Sequence, residues 1–143
     1  MQVMVLASSF NQGIWILNGF LLLIVLYMIG SPTYYWWRGR QLKGALTEEE
    51  FEKGRTRAQI IDLRERKTFD TKHILGARSM PMASLKQDMG SLRKDLPVYV
   101  YESGTNLAIR AALQLKKAGF TEVRWLKGGF REWHGKTKGK AVA

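Results

Sequence analysis

Residues 101–106 read Tyr-Glu-Ser-Gly-Thr-Asn and stand between a β-branched and aromatic run, Val98 to Tyr101, and a helical pattern that stops at Gly119. A strand, a tight loop and a helix N-terminus in that order aim backbone N–H groups and the positive end of a helix dipole at one point, the geometry that cradles an anion. The side chains there that could do chemistry are Tyr101, Glu102 and Ser103. Tyr101 is a poor nucleophile with a reference pKa of about 10. Ser103 would need a base within hydrogen-bond reach, and His73 and His134 are the two histidines of the chain. There is no cysteine, which removes thiol nucleophiles, disulfides and thiolate-held metals together. Two separated histidines give no basis for a metal site, and no cofactor is expected. Glu102 places a carboxylate in a loop suited to attract anions. It can fold in and accept the N–H groups itself or point to solvent, and either way an external anion meets a like charge.

The elements around this loop alternate. Thr47 to Glu50 fits a capping box, with Thr47 as N-cap, Glu50 reaching back and Phe51 as the first core contact of a short helix. Ala58 to Asp62 reads as a buried strand, followed by a helical turn around Thr68 to Asp70, a loop from His73 to Ala77 and a short strand from Arg78 to Met80 that Pro81 stops. Ser84 to Met89 and Ser91 to Asp95 read as one or two short helices. After the strand 98–101, a helix over 106–118 carries the apolar stripe Ala108, Ala111, Ala112 and Leu115, and Gly119 ends it. A strand over 122–126, a turn at Gly128 and Gly129, and a helix beginning at Phe130 to Trp133 complete the order. Strands alternating with helices predict an α/β domain with a parallel sheet covered on both faces.

Charge divides the chain. All 23 Lys and Arg and all 12 Asp and Glu lie from Arg38 onward, which gives the following part a net charge of 23 − 12 = +11. Residues 1–37 are expected to form an uncharged segment with one transmembrane helix over about 14–30. From Gly13 to Gly30 such a helix is about 27 Å long at ~1.5 Å per residue, close to a hydrocarbon core of about 30 Å. Tyr34, Tyr35, Trp36 and Trp37 suit the headgroup level, and Arg38, Arg40 and Lys43 favour an outside N-terminus and a cytoplasmic domain. A cleaved signal peptide would carry its positive charge before the apolar run, and here the charge follows it. Residues 38–45 read as a basic linker, 46–135 as the α/β domain and 136–143 as a frayed basic tail. The lipid bilayer is the expected first partner. Scattered charge without a recognition motif does not favour nucleic acid.

Three stretches give the soluble part a family likeness. IIDLRERKTFDTKHILGARSMP, VYVYESGTNLAIRAA and LKKAGFTEVRWLKGGFREW, with the helix opening at Thr47, resemble in order and spacing the rhodanese domain over about residues 45–134. The resemblance implies a central parallel sheet flanked by helices, here preceded by the transmembrane helix. It also implies a catalytic Cys-x-x-Gly-x-Arg loop whose thiolate accepts a sulfane sulfur while backbone N–H groups hold the persulfide. Alignment on Gly104 puts Tyr101 at the cysteine position and Asn106 at that of the arginine. A one-residue shift would instead offer Val100 or Glu102. None of the three can carry a persulfide, so no catalytic residue is expected.

The expectation is therefore a membrane-anchored, inactive rhodanese-like module of a bacterial inner membrane, acting as a binding or scaffold element for an unidentified protein. Its binding face would be the vestigial loop Tyr101, Glu102, Ser103, Gly104, Thr105 and Asn106, with Arg64 nearby. Asp62 and Arg64 would either position that loop or form a structural ion pair. The alternatives are a sulfur-relay protein that depends on a partner's thiol, a surface module for anionic lipid or other anions, and assembly through Asn18 and Gly19 of the span.

Overall fold

The computed structural model describes residues 2–140. The chain forms two compact units, Met1–Tyr34 and Tyr35–Ala143. Helix α1, Gln2–Leu42, supplies the first unit and contributes its last turns to the second. Within it, Asn11–Leu42 is long and apolar enough to cross a membrane, and none of its most apolar stretch is buried in the protein. A core helix would bury such a stretch, whereas a membrane anchor and a signal sequence both fit. Pro32 lies inside α1, and the Thr33 hydroxyl donates to the Ile29 carbonyl at 2.8 Å.

The segment expected as a linker is ordered structure. The helix continues to Leu42, and Ala45–Leu46 is already the first strand, β1. The apolar pattern of the span hides this, because Arg38 to Lys43 changes the polarity of the helix without supplying a stop signal. Tyr35 and Leu42 pack against the domain core. Gly39 faces α5 (Asn106–Lys117) so closely that a Cβ there would stand 2.5 Å from Ile109 Cδ1.

The second unit is built on a five-stranded parallel sheet in the order β1-β6-β5-β2-β4. The strands besides β1 are β2 (Gln59–Asp62), β4 (Arg78–Ser79), β5 (Val98–Tyr101) and β6 (Val123–Leu126). The connecting helices include α2 (Glu48–Gly54), α3 (Arg66–Thr71), α4 (Leu85–Asp88) and α5. The capping box at Thr47 forms as expected, with the Glu50 carboxylate accepting from Thr47 N–H at 2.8 Å and the Thr47 hydroxyl from Glu50 N–H at 3.3 Å.

Alternation along the strands splits the core in two. Ile61, Val98, Val100, Val123 and Trp125 point to one face and pack on Ala108, Ile109, Ala111, Ala112 and Leu115 of α5. Ile60, Tyr101 and Leu126 point to the other and meet Phe51, Ile74 and Trp133.

Three local expectations change. His73–Ile74 is a strand, β3, and pairs antiparallel with Thr137–Lys138, β7. The basic tail is therefore not frayed there, and Lys140 N–H still reaches the Asp70 carbonyl at 2.9 Å. Ala141 to Ala143 lie outside the described residues. A two-residue strand in a Lys- and Gly-rich tail has no periodicity to read, because its pairing partner is more than sixty positions away. The last helix is a single 3-10 turn, Phe130–Glu132, and Met89–Ser91 is likewise a 3-10 turn rather than part of a second α-helix.

Phe51 is fully buried, with its ring between Tyr99, Tyr101 and Trp133 at centroid distances of 5.3, 6.4 and 5.6 Å. Phe51→Ala is expected to cost about 3–5 kcal/mol, read as a lower urea midpoint for the lipid- or detergent-held full chain.

Candidate functional site

Strands β2 and β5 are neighbours, but the chain leaves them in opposite directions across the sheet, toward β4 and toward β6. The space outside their carboxyl ends is where open α/β sheets bind ligands. Asp62 ends β2, Tyr101 ends β5, and the two are register partners.

That space is filled by the protein's own side chains. Tyr101 is fully buried, and its hydroxyl donates to Asp62 Oδ2 at 2.7 Å while accepting from Ile74 N–H at 3.0 Å. The Asp62 carboxylate also accepts from Arg64: the backbone N–H at 2.9 Å, Nε at 3.0 Å and Nη2 at 2.6 Å. Arg64 Nη2 donates in addition to the Lys72 carbonyl at 2.7 Å, and its guanidinium lies 4.0 Å from the centroid of the Phe130 ring. The Asp62 carboxylate, the Arg64 guanidinium and the Tyr101 hydroxyl are thus each paired within the trio, the condition under which a buried charge is tolerated. Burial opposes the charge on Arg64, but the hydrogen bond and charge of Asp62 outweigh it and hold the guanidinium above its ordinary pKa. Burial, then the Asp62 carboxylate, push the Tyr101 phenol far above its usual value, so it stays protonated.

The expected binding set therefore divides. Tyr101 has no exposed surface and Arg64 is 7% exposed, so neither can present a face to a partner. They form a structural network with Asp62. Glu102, Ser103, Gly104 and Thr105 are half-buried and Asn106 is exposed, and these form the accessible loop.

The side chain that turns into the loop is that of Glu102, and it meets one N–H there. Its Oε2 accepts from Gly104 N–H at 3.0 Å. Tyr101, the last strand residue, alternates into the second core, so the first side chain free to turn toward the loop is one residue later. The loop shape is imposed from the turn after β6. Gly129 has φ +67°, and a Cβ on it would come within 2.5 Å of the Ser103 carbonyl oxygen and 2.7 Å of those of Glu102 and Gly104. In a planar trans peptide the N–H points opposite to the C=O. Three carbonyls facing Gly129 therefore turn the N–H groups of Ser103, Gly104 and Thr105 the other way, toward a shared side. Phe130 N–H donates to the Glu102 carbonyl at 2.8 Å and fixes the arrangement. The sequence marked Gly128 and Gly129 as turn glycines, but gave no signal that the second was pressed against this loop.

Ser103 has no base. His73 is engaged with the Phe69 carbonyl through Nδ1 at 2.8 Å and stacks on the Phe69 ring at 3.8 Å. His134 holds Glu48 through its N–H and ring nitrogen. Among the described residues no cluster of His, Cys, Asp or Glu is arranged to hold a metal.

The family model of the rhodanese-like domain matches residues 45–136. The chain belongs to the rhodanese-like domain family. It is similar to the YqhL protein of Bacillus subtilis, with 46% identity covering 81% of this chain and 89% of that one. It is 34% identical to the thiosulfate sulfurtransferase GlpE of Shewanella oneidensis over 53% of this chain and 75% of that protein. It is 29% identical to the putative sulfur carrier protein YrkF of Bacillus subtilis, over 55% of this chain and 43% of that one. Among solved structures, the Alr3790 protein of Anabaena superposes with a TM-score of 0.61 at 31% identity, covering 66% of this chain and 80% of that one. Rhodanese-like architecture is thus present without any cysteine to carry a persulfide.

Two outcomes follow from the buried network and the turn. Tyr101→Phe is expected to cost about 1.5–3 kcal/mol at neutral pH, the value of a hydrogen bond to a charged group. The folded phenol pKa is raised, so its contribution is complete below the unfolded pKa of about 10. It is lost as pH rises further, because only the unfolded chain releases that proton. Denaturation series at pH 8 and above pH 10 should show the gap between parent and variant narrowing. Gly129→Ala should lower stability by more than about 1 kcal/mol and broaden the amide resonances of 102–104, because its methyl group has no room.

Proposed function

We propose that this rhodanese-like chain is a non-catalytic binding module, held by α1 in the inner membrane of a bacterium with its domain on the cytoplasmic side. It would engage a protein partner through the loop from Glu102 to Asn106. One observation carries the reading: the Glu102 carboxylate stands in the loop and takes the Gly104 N–H, where an external anion would meet a like charge. The loop keeps a shaped, half-exposed face and has lost the means to transfer sulfur. The basic residues Arg38, Arg40 and Lys43, which follow the apolar stretch, support the cytoplasmic side.

A sulfur-relay role is the second reading, favoured by similarity to a thiosulfate sulfurtransferase and a putative sulfur carrier. It would need the thiol to come from another protein.

A photo-crosslinking residue at Ser103 of the full chain in native membranes tests the first reading. A discrete protein adduct is expected, lost on Glu102→Arg and kept on Glu49→Arg, which makes the same charge change on the exposed face of α2. An adduct indifferent to Glu102→Arg would remove the loop as the partner site. Purified full-length protein should form no thiocyanate from thiosulfate and cyanide, and turnover there would overturn the non-catalytic assignment.

A further inference from the structure

Beside the loop, a cavity of about 500 Å3 opens within the second unit. Its volume is that of a small-molecule site, and its walls differ in character. Trp36 from the end of α1, Trp125 from β6 and Ile109 from α5 make an apolar side. Arg40 and Lys127 make a positive side. The Arg40 guanidinium carbon lies over Trp36, 4.0 Å from the ring centroid, which holds the charge at the cavity wall. No carboxylate lines the cavity, and neither cation is in an ion pair among the described residues. Glu50, the acid bonded to the lining residue Thr47, is committed to its N–H.

Thr105 and Asn106 complete the polar side at the start of α5. This helix has no side-chain cap and no acidic residue in its first turn. Its dipole therefore adds to the two cations. Two unpaired cations and a polar helix start facing two indoles describe a site for an anion that carries carbon. A bare inorganic ion would leave the indole wall facing water. Trp36 belongs to the run of aromatics suited to the headgroup level, and Arg40 follows it by one helical turn.

We propose that this cavity binds a phosphate ester with an organic substituent, the chemistry shared by an anionic phospholipid headgroup and a soluble organic phosphate. The phosphate would sit between Arg40, Lys127 and the start of α5, and its substituent against Trp36 and Trp125. The site shares Thr105 and Asn106 with the loop assigned to a protein partner, but its two cations and two indoles lie outside that loop, so substitutions at Arg40 and Lys127 test it without touching Glu102 to Asn106.

The test uses the full chain in nanodiscs, with tryptophan fluorescence and 31P NMR as readouts. In neutral phosphatidylcholine discs glycerol 1-phosphate is titrated, and phosphatidylglycerol discs are compared without it. Saturable binding of glycerol 1-phosphate identifies a soluble phosphate as sufficient. A response confined to phosphatidylglycerol discs identifies the headgroup. In whichever arm responds, Arg40→Gln with Lys127→Gln should weaken binding at least tenfold. Lys67→Gln with Lys86→Gln, an equal charge change elsewhere, should alter it less than twofold. Asn106→Asp separates binding from folding: a carboxylate at a helix start favours the helix and repels the ligand, so affinity should fall while the thermal midpoint holds or rises. Equal weakening by both lysine-containing pairs would reduce the effect to diffuse attraction. That result, or no response in either arm, overturns the proposal.

Discussion

The carboxylate of Asp62 is the group on which the carboxyl end of the sheet depends. It is fully buried, and a buried charge without partners would be prohibitive. Arg64, two residues on, curls back to pair with it, and Tyr101 reaches it from the adjacent strand. That requirement fixes the path of the chain after β2, since Arg64 must also satisfy the Lys72 carbonyl. It also sets the fate of Tyr101, which is held as a neutral donor. The same hydroxyl accepts the N–H of Ile74, tying β3 to the network. A charge that in another fold would invite a ligand is here spent on aligning four segments of chain.

This network separates architecture from activity. The place where an open parallel sheet receives a ligand is occupied by Arg64, Tyr101 and Phe130, which stack on one another. Above it, the loop turns its N–H groups outward and that of Gly104 donates to Glu102. Both changes act in one direction: interior space is closed and one loop N–H is taken by a carboxylate of the chain itself. What remains accessible is surface, from Glu102 to Asn106, and a cavity that runs from Thr105 and Asn106 to the end of α1.

The alternating elements were legible in the sequence because each carries a local signal. Strand β5 and helix α5 begin where the β-branched run and the apolar stripe predict, and the capping box is written into two side chains three positions apart, Thr47 and Glu50. The family likeness rests on motifs that the fold bears out over nearly the same residues. What escaped was non-local. Strand β7 exists only because His73 and Ile74 lie opposite it. Helix α1 runs past Trp37 because nothing stops it, and its polarity change looks like a boundary. Assigning Tyr101 to the binding face counted residues along the loop, whereas burial is decided by which side of β5 a residue falls on. A shift of one residue reverses that side.

The contact at Gly129 makes the backbone of residues 102–104 a property of a turn that lies some twenty-five positions downstream. Shape and sequence are thereby stored in different places. Side chains at 102, 103 and 105 can be exchanged without asking the main chain to move, while the turn tolerates almost no change. Such a division lets a catalytic loop lose its nucleophile and still keep its form, and it leaves the vacated positions free to be rewritten for recognition.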